Sequence, residues 1–227
     1  MSGKQSIKVI ASICLILCVT VVSSVQAEDQ TSDSGFTVKQ GFYIGAMYVN
    51  NSMSGDFDDT VFYTSGSKVY DVPDVDNGTG FGIVLGARGK DGAFELSYQR
   101  TNHDTSSSFV DIGDSEATYN IIDLNFKFDV FARDRLRPYL LIGFGFPWLT
   151  IEDSMYDDDD GSYDDETFTG ISFNLGAGLA YYLDPQWAIT GGIIYRWNRF
   201  SSVEGKSLDD TLSEKALNLT FGVAYTF

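Results

Sequence analysis

Cysteine is confined to the first 18 residues of this 227-residue chain, at Cys14 and Cys18, and histidine occurs once, at His103. Beyond the leader there is no thiol for a disulfide, a thiolate metal site or redox chemistry. A single imidazole leaves little material for general acid–base catalysis, which uses histidine more than any other side chain. Basic residues are scarce, 15 Lys and Arg against 32 Asp and Glu. That balance argues against nucleic acid as a partner, and against direct docking on anionic lipid without a bridging divalent cation. After residue 27 no segment approaches the ~18 consecutive apolar residues of a helical membrane span. The lack of such a run says nothing about strands, because a membrane barrel hides its apolar half in alternation.

The leader itself is legible. Lys4 and Lys8 precede a mostly apolar stretch from Val9 to Val22, and Val25-Gln26-Ala27 offers small residues for cleavage before Glu28. The stretch is short for an uncleaved anchor of ~20 residues. Leu17 stands before Cys18 where lipoprotein signals carry Gly, Ala or Ser. Residues 1–27 are therefore expected to be a secretory signal, 28–40 a periplasmic N-terminal segment and 41–227 the folded domain. Cleavage removes two lysines and no acid, which leaves 13 bases against 32 acids and a net charge of −19.

From Gly41 onward the apolar residues alternate. In the last twelve residues Leu217, Leu219, Phe221, Val223, Tyr225 and Phe227 fall on one face of a strand, with small and polar residues on the other. Seven earlier segments repeat the pattern: Gly41–Asn50, Thr79–Arg88, Ala93–Arg100, Thr118–Phe131, Pro138–Leu149, Phe168–Leu183 and Trp187–Phe200. Most meet the ~9–11 residues a tilted strand needs to cross a bilayer. Short connections (Gly89–Gly92, Ala132–Arg137, Asp184–Gln186) alternate with long ones (Asn51–Gly78, Thr101–Ala117, Thr150–Thr167, Ser201–Lys215). The expectation is all-β: an eight-stranded antiparallel up-and-down transmembrane β-barrel of the outer membrane, with both termini periplasmic and the long loops outside. Aromatics gather toward both strand ends, as interfacial rings do. Pro147 cannot donate to a ladder and is expected to mark a bulge or the end of regular pairing.

Gly41-Phe42-Tyr43-Ile44-Gly45-Ala46, Pro138-Tyr139-Leu140-Leu141-Ile142-Gly143-Phe144-Gly145 and the closing Leu219 to Phe227 resemble the small eight-stranded OmpA/OmpX-type outer-membrane proteins. The resemblance covers about residues 41–227. It implies that the terminal aromatics Tyr225 and Phe227 are the signal read by the barrel-assembly machinery. It also implies that the periplasmic peptidoglycan-binding domain of full-length OmpA-like proteins is absent. It identifies a fold family with diverse roles, not one activity.

Strand parity places Arg88, Glu95, Asp123, Lys127, Asp129 and Arg196 inside the barrel, three acids and three bases expected to pair as a polar plug. Several glycines, among them Gly86, Gly143, Gly145 and Gly178, share that face and make room for longer side chains or water. Arg100, Arg199 and Lys215 have outward parity near the loop end, where cations meet lipopolysaccharide phosphates or snorkel. Arg133, Arg135 and Arg137 fall in a short turn. The four long loops hold 23 of the 32 acids, densest at Asp157, Asp158, Asp159, Asp160, Asp164, Asp165 and Glu166. That run misses EF-hand spacing, so weak divalent binding is weighed there against a solvated repulsive surface. Asp74-Val75-Asp76-Asn77-Gly78 is a looser cluster of the same kind.

No catalytic residue and no cofactor are assigned. His103 is expected in a solvated loop, and His103-Asp104-Thr105-Ser106 lacks the His-x-Ser arrangement of lipid A deacylases. The leading function is structural or surface-interacting and non-enzymatic. A narrow porin-like channel is the alternative, and a lipid A-modifying enzyme ranks below both. Expected partners are outer-membrane lipids and lipopolysaccharide, the assembly machinery and an unidentified extracellular ligand.

Overall fold

The computed structural model describes residues 36–56, 60–63, 69–72, 74–106, 115–130, 135–156, 163–203 and 206–227. Eight long strands run β1 Gly41–Gly55, β2 Gly78–Arg88, β3 Gly92–Ser106, β4 Ser115–Asp129, β5 Leu136–Tyr156, β6 Tyr163–Tyr182, β7 Trp187–Val203 and β8 Lys206–Thr226. Each pairs antiparallel with its sequence neighbours, and β8 pairs with β1, so the sheet closes on itself. Closure satisfies every strand edge, which hydrocarbon would otherwise leave without partners. A short hairpin pairs Thr60–Tyr63 with Val69–Val72, and Asp74–Val75 adds to the loop end of β3.

Register fixes the shape of the cylinder. Paired residues lead from Tyr43 to Gly86, Glu95, Asn125, Gly143, Asn174, Arg196 and Ala216, and return to β1 at Met53. The circuit closes ten residues further along β1. A stagger of ten residues against eight strand spacings tilts the strands by about 40°. At the short-turn end, Gly89 N donates to Gly92 O, and Asp184 Oδ1 accepts from the backbone of Gln186 and Trp187.

The outward face carries the apolar side chains read from the alternation. Phe81, Phe144, Ile171, Phe221 and Phe227 are all more than 60% exposed, as a surface solvated by acyl chains requires. At the loop end the strands run well past the expected limits. β5 continues eight residues beyond Trp148 and β8 begins at Lys206 rather than Ala216. The expected long loops Thr150–Thr167 and Ser201–Lys215 are mostly ladder.

The reason is a switch of phase. On β5 the even residues Leu140 to Trp148 face outward, whereas Leu149 and Ile151 are fully buried inside. On β8, Leu217 to Val223 face out and Leu212 is buried; on β6, Ile171 faces out and Phe168 in. The barrel is apolar-out where lipid surrounds it and apolar-in beyond that, where Asp104, Glu116, Asp165 and Ser213 are exposed instead.

Pro147 neither ends nor bulges the strand. It pairs opposite Ile121 of β4, and only the β6 side of the ladder lapses, with the same register resuming at Trp148–Thr169. Register shifts occur further out, between Ile151 and Met155 and between Phe200 and Ser202.

Candidate functional site in the barrel interior

The interior is layered. Nearest the short-turn end, Arg88 Nη1 donates to Asp129 Oδ2 at 2.7 Å, and Arg137 Nη1 approaches the same oxygen at 3.4 Å. Both guanidinium groups lie over the Tyr182 ring, at 5.6 and 5.7 Å from its centroid. One step up, Lys127 Nζ stands 2.8 Å from Glu95 Oε1, which also accepts from the Tyr43 hydroxyl. The Lys127 ammonium lies 4.5 Å above the Tyr139 ring.

At mid-barrel Arg196 Nη2 donates to Asp123 Oδ2 at 2.8 Å, with both side chains wholly buried. Asp123 accepts further bonds from Asn174 Nδ2 at 2.8 Å and Gln99 Nε2 at 3.1 Å. Fully buried charges persist only where such partners replace water. Glycine provides the clearance: a Cβ at Gly86 would strike the Tyr43 ring, one at Gly178 the Tyr139 ring and one at Gly145 the Asp123 carboxylate. A cavity of about 60 Å3 remains in this lower half, lined in part by Tyr43, Glu95, Gln99, Lys127, Thr190 and Thr220. It has room for a few waters.

Above the ion pairs, Asn198 Nδ2 donates to Glu214 and to the Tyr119 hydroxyl. Beyond these polar groups the bore is filled by an apolar plug that includes Tyr119, Ile121, Leu149, Ile151, Phe168, Phe200, Val203 and Leu212. The opposite mouth has its own cover. Val38, from the segment before β1, is buried against Ala180, Tyr182 and Ala188 with Phe36 beside it, and Lys39 N donates to Pro185 O.

All six charges assigned to the interior from parity lie inside and meet one another in three pairs. Four ionisable residues were misplaced. Arg137, expected in a turn, points inward on β5. Glu166, grouped with the acidic loop run, is 1% exposed on β6, and Glu214, counted in a long loop, is buried on β8. His103 is not in a solvated loop: it is 2% exposed on β3, its Nδ1 2.7 Å from Asp76 O and its Nε2 2.8 Å from Thr101 Oγ1. Each of the four has the parity of its strand's interior face; what hid them was the short bounds assigned to the strands, which ended too early for His103 and began too late for the other three.

A carbonyl oxygen can only accept, so Nδ1 of His103 carries the proton and Nε2 accepts from the Thr101 hydroxyl. Burial holds its pKa below the ordinary imidazole value. Glu214 lies beyond Lys215, outside the lipid-facing belt, and burial pushes its carboxyl up to about 7.

Of the remaining assigned residues, Arg100, Arg199 and Lys215 are exposed on the outer face, and Arg199 Nη2 donates to Thr211 Oγ1 at 3.2 Å. Tyr225 packs edge-on against Phe227 and tilted at 52° against Trp187, and Phe227 N closes onto Phe42 O. Asp157, Asp158, Asp159, Asp160 and Arg133 lie outside the described residues. Asp164 lies in β6 and Asp165 is exposed. Arg135 donates to Leu183 O and covers the Phe36 ring at 4.5 Å.

A closed antiparallel cylinder with lipid-facing apolar side chains and charges paired within its bore is a transmembrane β-barrel protein. The chain belongs to the outer membrane protein beta-barrel domain family, whose model matches residues 15–227. No curated protein matches it. Among solved structures it is similar to Neisserial surface protein A, at 19% identity over 82% of this chain and 97% of that one, with a TM-score of 0.55. It is also similar to the attachment invasion locus protein Ail of Yersinia pestis (17%, 83% and 100%, TM-score 0.45) and to OprG of Pseudomonas aeruginosa (15%, 84% and 98%, TM-score 0.47). At these identities the likeness concerns the fold.

Proposed function

We propose that this protein is a non-enzymatic scaffold of the outer membrane. Its sealed barrel, with both termini periplasmic, holds an acidic collar and loops at the cell surface for structural or adhesive contact. The observation that carries this reading is the filling of the bore at three levels: the Val38 cover, the paired charges from Arg88 to Arg196 and the apolar plug around Phe168. A porin-like channel needs a continuous wet path, and both the Asp123–Arg196 pair and the plug stand across it. Orientation is inferred from strand count and from the short turns, which lie at the same end as both termini.

The reading extends to partners. Tyr225 and Phe227 serve as the assembly signal, Arg199 and Lys215 face lipopolysaccharide phosphates, and the acids around Asp157–Asp160 hold divalent cations weakly at most. Against catalysis stands His103, whose two ring nitrogens are both engaged within the wall.

Planar-bilayer recording of the purified protein is the decisive test, with no steady current above membrane leak expected. Unitary currents that change with Glu95→Gln would replace the scaffold by the channel. Lipid A mass profiles should be the same with the gene deleted or overexpressed; a changed acyl pattern would restore the enzyme reading.

A further inference from the structure

On the lipid-facing side, β8, β1, β2 and β3 line a shallow, open apolar groove of about 660 Å3. Two rows of register partners build it. The upper row runs Phe221, Tyr48, Phe81, Arg100, and the lower row Val223, Ala46, Ile83, Tyr98. Seven of these eight side chains are large, and Ala46 between Val223 and Ile83 makes the floor. Tyr48 and Phe81 pack edge to face at 5.8 Å, which stiffens one wall.

Arg100 ends the upper row. It is exposed, and among the described residues it enters no ion pair, unlike Arg88, Lys127, Arg137 and Arg196. A guanidinium left free at the edge of an apolar trough presents a planar fork suited to phosphate oxygens. Outside it the surface turns acidic, with Asp104 and Glu116 exposed on the adjacent strand ends. A phosphate held near this wall is thus drawn to Arg100 and repelled further out.

We propose that this groove seats one acyl chain of lipid A, the phosphorylated glycolipid of the outer leaflet, with a lipid A phosphate on Arg100. The assignment to that leaflet rests on the loop end facing outward, as proposed above. Two-point attachment, chain in the trough and phosphate on the fork, separates this seat from an ordinary contact between an acyl chain and the barrel wall.

Native mass spectrometry of the full chain in detergent micelles tests it, with three probes: lipid A, the same lipid with both phosphates removed, and phosphatidylglycerol. The wild type should retain lipid A in preference to the other two. Arg100→Gln should lower that retention on the order of tenfold. Ala46→Phe should lower it comparably with the arginine in place, because it fills the trough. Lys90→Ala, in a short turn at the other end, should match the wild type.

Both test substitutions face lipid and leave the ladder intact; heat-modifiable gel mobility reports whether each variant has folded. Equal retention of lipid A and its dephosphorylated form, or an Ala46→Phe variant indistinguishable from wild type, overturns the seat. Preference for phosphatidylglycerol overturns the choice of lipid A. Orientation is read separately. The two native cysteines lie in the leader, so Ser54→Cys should react with an impermeant maleimide on intact cells. Labelling of Lys90→Cys instead would refute the orientation and leave the binding result standing.

Discussion

Asp123 is the residue on which the interior depends most. Its wholly buried carboxylate receives Arg196, Asn174 and Gln99. Removing one member of such a pair strands the other charge, so Asp123→Leu should cost about 3–5 kcal/mol. Replacing Asp123 and Arg196 together should recover most of that loss in urea titrations of micelle-bound protein; additive losses would mean the pair is not coupled. Glu214 behaves differently. Its folded pKa of about 7 lies above its ordinary value, so the folded state binds more protons. The stability it contributes is present at low pH and is lost as pH rises through 7. Glu214→Gln should therefore gain on the wild type between pH 5 and 8, and an unchanging difference in unfolding midpoint would refute this. His103 runs the other way: its pKa is lowered by burial, so its contribution is present above about pH 6.5 and fades on acidification. The Glu214 comparison cancels that term, because both proteins keep His103.

Each strand carries two phases, and the sequence shows both once the strand is drawn to its full length. Alternation in β8 reads Leu217, Leu219, Phe221 outward, then reverses, with Leu212 inward across Glu214 and Ala216. The apolar period breaks at the reversal, which is why the ends of β3, β5, β6 and β8 read as loops. Phe168 sits just past the break and fills the plug. Phe168→Ala should cost about 3–5 kcal/mol, with amide exchange accelerating first at Ala117 to Ile121, and protection unchanged there would separate Phe168 from the plug. The lipid-facing Phe144→Ala leaves no cavity, because acyl chains refill the space, and should cost far less.

For the molecule as a whole, eight strands with a ten-residue stagger set the bore narrow enough for side chains to fill. The three tryptophans are all outward, Trp187 beside the short turns and Trp148 and Trp197 toward the loop end. Single-tryptophan variants in brominated-lipid bilayers should quench near the headgroups at every position. Trp187 should be reached from the opposite leaflet to the other two, and a tryptophan quenched best at the bilayer midplane would shift the belt.

The order of apolar and polar residues was enough by itself to specify eight strands, a lipid-facing side and the six charges inside, because a period of two assigns each residue to a face without reference to any neighbour. Which charges meet, that Arg137, Glu166, His103 and Glu214 join the interior, and that both mouths are filled were decided only by the closed cylinder. Those facts depend on stagger and on distances across the bore, and neither is a property of any strand alone.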